Sequence, residues 1–491
     1  MNHIIFNPDE MRAESTGCYG HPRAITPNLD RLAREGVRFD QCHVQHTVCT
    51  PSRASFMTGW YPHVRGHRTL WHSLRPDEPN LLRYMKQAGY DVLIGGKNDL
   101  LSPESTLDSV TDWDLGARSK RFIPGRKSGQ PKDMSDQKYY SFLYEREADG
   151  VEQLGDFRSV DGAIEYLKTK PAKPFVIYLP ISFPHCPYWA PGKWHDVIDA
   201  AGLPPLRPKD MPDKPDFHAL IREYRKLGTL DDSVLRKINA VYLGMIGVVD
   251  HLLGELMQTL ADTGYDKDTS FFFFSDHGDY AGDYGLVEKW PSGLEDVLTR
   301  VPFVARVPGN KAGHVVKEPV EMFDMMATIM DLAGVKSQHT HFARSLTDQL
   351  HGEAGDADRA VFAEGGYDLH EPHCFEGRPG TDQGLRTPEH IYYPKCMQQQ
   401  EHPESVCRAA MIRTMTHKLI RRPNGISELY DLMNDPRELK NVHDDIAFTE
   451  VRQTLEKRML DWYIHTADAV PMDEDPRNFP PQNKVRIICE S

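Results

Sequence analysis

Along the chain, short apolar runs alternate with longer stretches in which apolar residues recur every three or four positions. The runs at 3–6, 91–94, 175–179, 270–274 and 302–307 lack polar alternation. A strand covered on both faces reads this way, so they are expected as strands of a buried parallel sheet. Helical patterns lie between them. Thr26 and Pro27 supply a cap and a proline at the first helical position; Leu29, Leu32 and Ala33 share a face, and Gly36 ends the segment. Residues 80–89 read as a second short helix ended by glycine. A long helix over 234–263 is closed by Gly264, and another over 319–333 is also followed by glycine. Strands alternating with helices predict an α/β fold, a large doubly wound and mostly parallel sheet flanked by helices.

Four of these runs deliver titratable residues just past their ends. Asp9 and Glu10 follow the first, Lys97 and Asp99 the second, His185 the third, and Asp276 with His277 the fourth. Ligands bind at the carboxyl edge of open α/β sheets, so these residues are expected to converge on one site. From about residue 376 the character changes. Residues 381–404 are rich in Gln, His and Pro and read as a long loop. Short strands are expected at 409–414, 418–421 and 428–432, with a turn at Pro423-Asn424-Gly425 and a helix over 448–464. The tail beyond Pro471 is polar and proline-rich. The pattern divides into a catalytic α/β domain, 1–375, and a smaller C-terminal α+β domain with an antiparallel sheet, 376–491.

Composition narrows the function. The net charge of -14 over 491 residues argues against a general nucleic-acid or anionic-membrane binder, while a locally positive pocket stays compatible with an anionic substrate. No stretch approaches the ~20 apolar residues that span a bilayer. The run Ile4-Ile5-Phe6 is too short for the core of a leader and meets Asp9 and Glu10 at once. A cytoplasmic protein is therefore expected, with a secreted or periplasmic chain that has lost its leader as the alternative. The eight cysteines form no C-x-x-C pair, which speaks against a structural zinc site. Most read as buried thiols.

Cys49 is different. Thr50 and Pro51 are expected to cap and open a helix immediately after it, and Arg53 adds a fixed positive charge. Free N–H groups at a helix start favour negative charge. A cysteine there reads as a nucleophile at an anion site.

The segment Cys49-Thr50-Pro51-Ser52-Arg53 resembles the C-x-P-S-R signature of the sulfatase family, cysteine type, within the alkaline phosphatase superfamily. The collinear stretches Gly17–Gly20, Thr26–Leu32, Gly59–His63, Phe274–Asp279 and Glu428–Leu432 agree, the resemblance running to about residue 440. It implies that Cys49 is oxidised to formylglycine by a maturation enzyme. The hydrated aldehyde attacks the sulfur of a sulfate ester, and its second hydroxyl then lets the intermediate collapse and expel sulfate. It also implies one divalent metal held by Asp9, Asp276, His277 and residue 49, with Glu10 at a further ligand position. Oxygen-rich sites favour calcium, with magnesium or manganese as alternatives. Lys97, His185 and Lys289 match positions that hold the sulfate and serve the leaving group.

One departure concerns the proton acceptor. The family commonly places histidine two residues after the lysine at 97, where this chain has Asp99. Asp99 either takes that proton or binds substrate hydroxyls. His67, in the dense polar stretch with His63, Arg68 and His72, is expected to wall the substrate pocket. Further candidates to read sugar hydroxyls are Glu364, Tyr367, His370 and His373, and the run 397–400. The substrate class implied is a sulfate monoester of a carbohydrate or of an aryl or alkyl alcohol. A phosphonate monoester or phosphodiester hydrolase of the same superfamily is the alternative, and oligomerisation is left open.

Overall fold

The computed structural model describes residues 1–120, 129, 131–146, 155–377 and 383–469; the polar tail lies outside them. Its frame is a seven-stranded sheet of order β3-β4-β1-β5-β6-β2-β7. The strands are β1 (Asn2–Pro8), β2 (Val37–His43), β3 (Asp91–Ile94), β4 (Phe175–Ile181), β5 (Thr269–Phe274), β6 (Phe303–Arg306) and β7 (His314–Glu321). The principal helices are α1 (Pro27–Glu35), α2 (Cys49–Thr58), α3 (Leu81–Gln87), α4 (Gly155–Lys168), α5 (Asp232–Thr263), α6 (Asp324–Ala333), α7 (Tyr393–Glu401) and α8 (Thr449–Thr466).

β1 lies between β4 and β5 and runs parallel to both. Its side chains divide between two cores. Ile4 and Phe6 pack with Phe271 and Phe273 beneath α1, α4 and α5. Ile5 packs with Phe272 and Phe274 on the opposite face, beneath α2, α3, α6 and α8. Two covered faces are the reason these strands show no polar alternation. α5 is long and apolar enough to cross a bilayer, but 83% of its apolar window is buried inside the protein. It is a core helix.

Two expectations change in the sheet. β6 runs antiparallel to both β5 and β2. After β5 the chain stays at that strand's carboxyl edge from 275 to 302 and therefore re-enters the sheet in the opposite direction. Residues 319–321 end the edge strand β7, and the helix starts only at Asp324. Proline is tolerated on an edge strand, where its missing N–H breaks no ladder. β2 escaped the run-based reading because Val37-Arg38-Phe39-Asp40 alternates between buried and half-buried positions.

A second sheet, of order β11-β10-β9-β8, is antiparallel throughout. It comprises β8 (Val361–Gly365), β9 (Ala409–Arg413), β10 (His417–Arg421) and β11 (Glu428–Asp431). β8 comes from ahead of the compositional change near residue 376. Part of the segment expected as a long loop is α7. Its buried positions include Lys395, Gln398 and Gln399, so no apolar stripe marks it.

Candidate active site

The ends of β1, β3, β4 and β5 bring Asp9, Lys97, His185, Asp276 and His277 together around Cys49. α2 starts at Cys49 itself, behind an extended Val48, rather than after a Thr50 cap. Pro51 falls in the first turn, where its missing N–H costs no helical bond. The Cys49 thiol is buried, 3.5 Å from Asp9 Oδ1 and 3.3 Å from His277 Nε2. His277 Nδ1 donates to the Gly278 carbonyl at 2.9 Å, which turns Nε2 toward Cys49 and the two carboxylates.

Arg53 is wholly buried behind this group. Its Nε donates to Asp276 at 2.9 Å, Nη2 to Asp9 at 3.0 Å and Nη1 to the Lys97 carbonyl at 2.9 Å. Expected among the catalytic residues as a fixed positive charge beside Cys49, it is here a positioning residue that fixes the two carboxylates and does not line the cavity described below. Lys97 Nζ donates to Asp9 at 2.8 Å and pairs with Asp99 at 2.9 Å. Burial pushes the Asp9 carboxyl up, but Lys97, His185, Arg53 and His277 together hold it well below the usual range. Burial and the Asp9 charge push the Cys49 thiol well up, so it is not the activated thiolate that its helix-start position suggests.

Asp9, Cys49, Asp276 and His277 offer donor atoms that all lie within 4.8 Å of one another. Two carboxylate oxygens and an imidazole nitrogen, all buried, fit a divalent cation. Glu10 does not join them. Its φ of 65° turns it from Asp9, and its carboxylate accepts from Lys289 Nζ and, at 3.3 Å, from the Cys186 N–H. Burial and the neighbouring Asp279 push Glu10 up against the pull of Lys289. Burial raises Asp279 too.

His185 donates from Nδ1 to the Cys186 carbonyl, leaving Nε2 to accept from Lys289 Nζ at 2.9 Å. Burial first, then Lys289 and Lys97, drive its pKa well below the ordinary value, so the imidazole is neutral. The proton available here is held on Lys289, whose charge survives burial because Glu10 and Glu288 lie beside it.

These groups open onto a cavity of about 330 Å³. Cys49, Lys97, Asp99, His185 and Lys289 line it, with Val48, Leu70 and Trp71 as an apolar wall. His67 does not. Its Nδ1 meets the His72 carbonyl at 2.7 Å and its Nε2 meets Glu78 at 2.9 Å, so it braces its own loop. The sequence reading missed Glu288, Glu376, Tyr392 and Lys395, which form the remaining polar wall. Lys395 binds Glu288 at 2.7 Å and Glu376 at 3.2 Å. Three of these four lie at or beyond residue 376, on segments where no hydrophobic period or strand end pointed to them. Of the other candidates, Tyr367 is a core residue and Gln399 accepts the Glu376 N–H at 2.8 Å.

The chain matches the sulfatase family model over residues 2–335 and the model described as N-sulphoglucosamine sulphohydrolase, C-terminal, over 381–464. It is 26% identical to the multifunctional alkaline phosphatase superfamily protein PehA of Trinickia caryophylli, over 94% of this chain and 93% of that one. Identity to the ulvan-active sulfatase of Formosa agariphila is 25%, over 94% of this chain and 79% of that one. The phosphonate monoester hydrolase of Agrobacterium radiobacter superposes with a TM-score of 0.76 at 21% identity, covering 96% of this chain and 97% of that one.

Proposed function

This chain belongs to the sulfatase family, and we propose that it hydrolyses a sulfate monoester of a carbohydrate or of an aryl or alkyl alcohol, with residue 49 as nucleophile. The observation that carries this reading is the position of Cys49: at the start of α2, in contact with Asp9 and His277, and on the wall of a cavity flanked by Lys97, His185 and Lys289. The buried, protonated thiol is a poor nucleophile as it stands. Conversion to formylglycine by a maturation enzyme supplies an oxygen nucleophile and a route for releasing sulfate without a second attack at sulfur. A divalent cation held by Asp9, Asp276, His277 and residue 49, calcium first and magnesium or manganese as alternatives, supplies Lewis-acid charge stabilisation.

The chain's own groups do the rest. Arg53 holds Asp9 and Asp276 in register. Lys97 and Lys289 present ammonium groups to the oxygens of the bound ester. Lys289 Nζ keeps the proton for the departing oxygen, with His185 Nε2 placed to receive it and pass it on. Asp99, held by Lys97, accepts from a substrate hydroxyl or takes up a proton.

Both lysines are already paired with carboxylates. The cavity therefore suits a singly charged ester group better than a doubly charged phosphate. A phosphonate monoester or phosphodiester is also singly charged, and this supports hydrolysis of those esters at the same residues as the second reading. The test is sulfate release from aryl sulfates and a panel of sulfated sugars, by protein whose residue 49 has been checked by mass. Turnover that vanishes in Cys49→Ala supports the proposal. Undiminished turnover in that variant would overturn it.

A further inference from the structure

A second cavity, of about 240 Å³, lies beside the first. The same two short segments wall both. Val48, Cys49 and Thr50 face the first cavity and His46 the second; Leu70 and Trp71 face the first and Arg68 the second. His46 stands three positions before Cys49, so their Cα atoms are at most about 11 Å apart.

The chemistry of this second cavity is specific. His46 is fully buried, and its Nδ1 accepts the Val48 N–H at 3.0 Å. The ring proton therefore sits on Nε2, which has no partner. A buried donor without a partner carries a real cost unless something accepts from it. Arg68, Arg408, Arg421 and Tyr463 line the same cavity, with Glu364 as the carboxylate among the lining residues. Glu364 is already engaged, accepting from the His63 N–H at 2.9 Å and facing His63 Nδ1 at 2.7 Å. Arg68 and Arg408 both meet Glu371 at 2.8 Å, yet each uses one terminal nitrogen for it and keeps other donors. Arg421 donates to Ser427 at 3.0 Å, and its Nε lies 3.7 Å from Glu456 in a pair exposed enough for solvent to screen. Three forked cations and one orphaned N–H make a set that a carboxylate or sulfate group satisfies and a neutral ligand does not.

We propose that this second cavity is an oxoanion site, taking either a second acidic group of the substrate or a free oxoanion such as sulfate. The spacing favours the substrate: a disaccharide reaches from residue 49 to His46, and an acidic group beyond the scissile ester would then seat against the arginines. That part rests on the proposed ester hydrolysis; the anion site does not.

The experiment has two arms on the full chain. Crystals soaked in sodium selenate, an isostere of sulfate, are examined by anomalous scattering. The expected result is a peak in the second cavity, within hydrogen-bonding reach of His46 Nε2 and Arg68, that disappears in R408Q/R421Q. Both arginines are about half exposed, so the double variant is expected to fold. His46→Phe, which removes the donor, should also abolish the peak. Selenate found only beside residue 49 would overturn the proposal. In the second arm, KM is compared for a sulfate ester with and without a second acidic group. The double variant is expected to raise the first KM about tenfold and leave the second unchanged. A selenate peak with both KM values unchanged identifies a free oxoanion as the occupant. If no ester is turned over at all, the crystals still decide the anion site and only the proposed function falls.

Discussion

Arg53 and the two carboxylates it holds show how much of the site is electrostatic scaffolding. Removing one partner of a buried ion pair leaves an uncompensated charge, at a cost of about 3–5 kcal/mol. Arg53→Leu should lose about that much stability, because Asp276 would lose its cation while Asp9 keeps only Lys97. Chemical denaturation with and without added calcium checks this; the cation should restore part of the loss. Unchanged stability without metal would contradict the role given to Arg53. Buried histidines set a second expectation. Burial lowers His339 to about 4, well under the 6.5 of the unfolded chain. Below pH 6.5 the unfolded chain takes up a proton that the folded one refuses, so stability falls as pH drops from 6.5 toward 4. Denaturation midpoints across that range should decline, and less steeply in His339→Asn. At this scale, the positions just past strand ends were legible as a shared site. Side-chain direction beyond the strand end was not. Asp9 and Glu10 are neighbours, and a positive φ at Glu10 sends one to Cys49 and the other to Lys289. Nothing in residue order announces that turn, nor the loop contacts that take up His67.

The elements position these residues through tight backbone packing. Gly96, at the end of β3, has φ +131°, and a Cβ there would lie 2.1 Å from the Pro180 carbonyl oxygen. Next to it, the Lys97 N–H donates to that same carbonyl at 3.0 Å, and the Lys97 carbonyl accepts from Arg53. Gly96→Ala should therefore push β3 and β4 apart at their carboxyl ends, costing about 1–3 kcal/mol for the strained φ alone. Activity should fall more than stability, because Lys97 moves with the strand end. Parallel kcat and thermal-unfolding measurements separate the two effects; equal activity in a folded variant would refute the argument. Buried strands were readable wherever both faces are covered, as in β1 and β5. They failed where one face of a strand is only half-buried and polar alternation returns, as in β2. The reversed direction of β6 follows from where the preceding loop sits, which is a property of the site rather than of the six residues at 302–307. α7 escaped because its inner face is Lys395, Gln398 and Gln399, buried by ion pairs and amides instead of apolar packing.

Across the whole molecule, buried charges tie the two sheets together. Lys418 on β10 is completely buried, 2.9 Å from Asp296 and 2.7 Å from Glu438. Arg413 on β9 meets the same aspartate at 3.3 Å. Apolar packing crosses the same boundary, since Ile412, Leu419 and Leu429 belong to one of the large sheet's cores. Lys418→Met should lower stability by about 3–5 kcal/mol, since buried Glu438 loses its cation and Asp296 keeps only Arg413. Both sheets should still unfold in one transition; two separate transitions in calorimetry would show that the small sheet is an independent unit. The central claim is sulfate ester hydrolysis at residue 49. It is tested most directly by measuring kcat/KM side by side for an aryl sulfate, an aryl phosphonate monoester and a phosphodiester, on protein whose conversion at residue 49 is verified by mass. The account predicts that the sulfate ester is the best substrate and that all turnover disappears in Cys49→Ala. Rapid phosphonate or diester cleavage by fully converted protein, with no useful sulfate turnover, would contradict it.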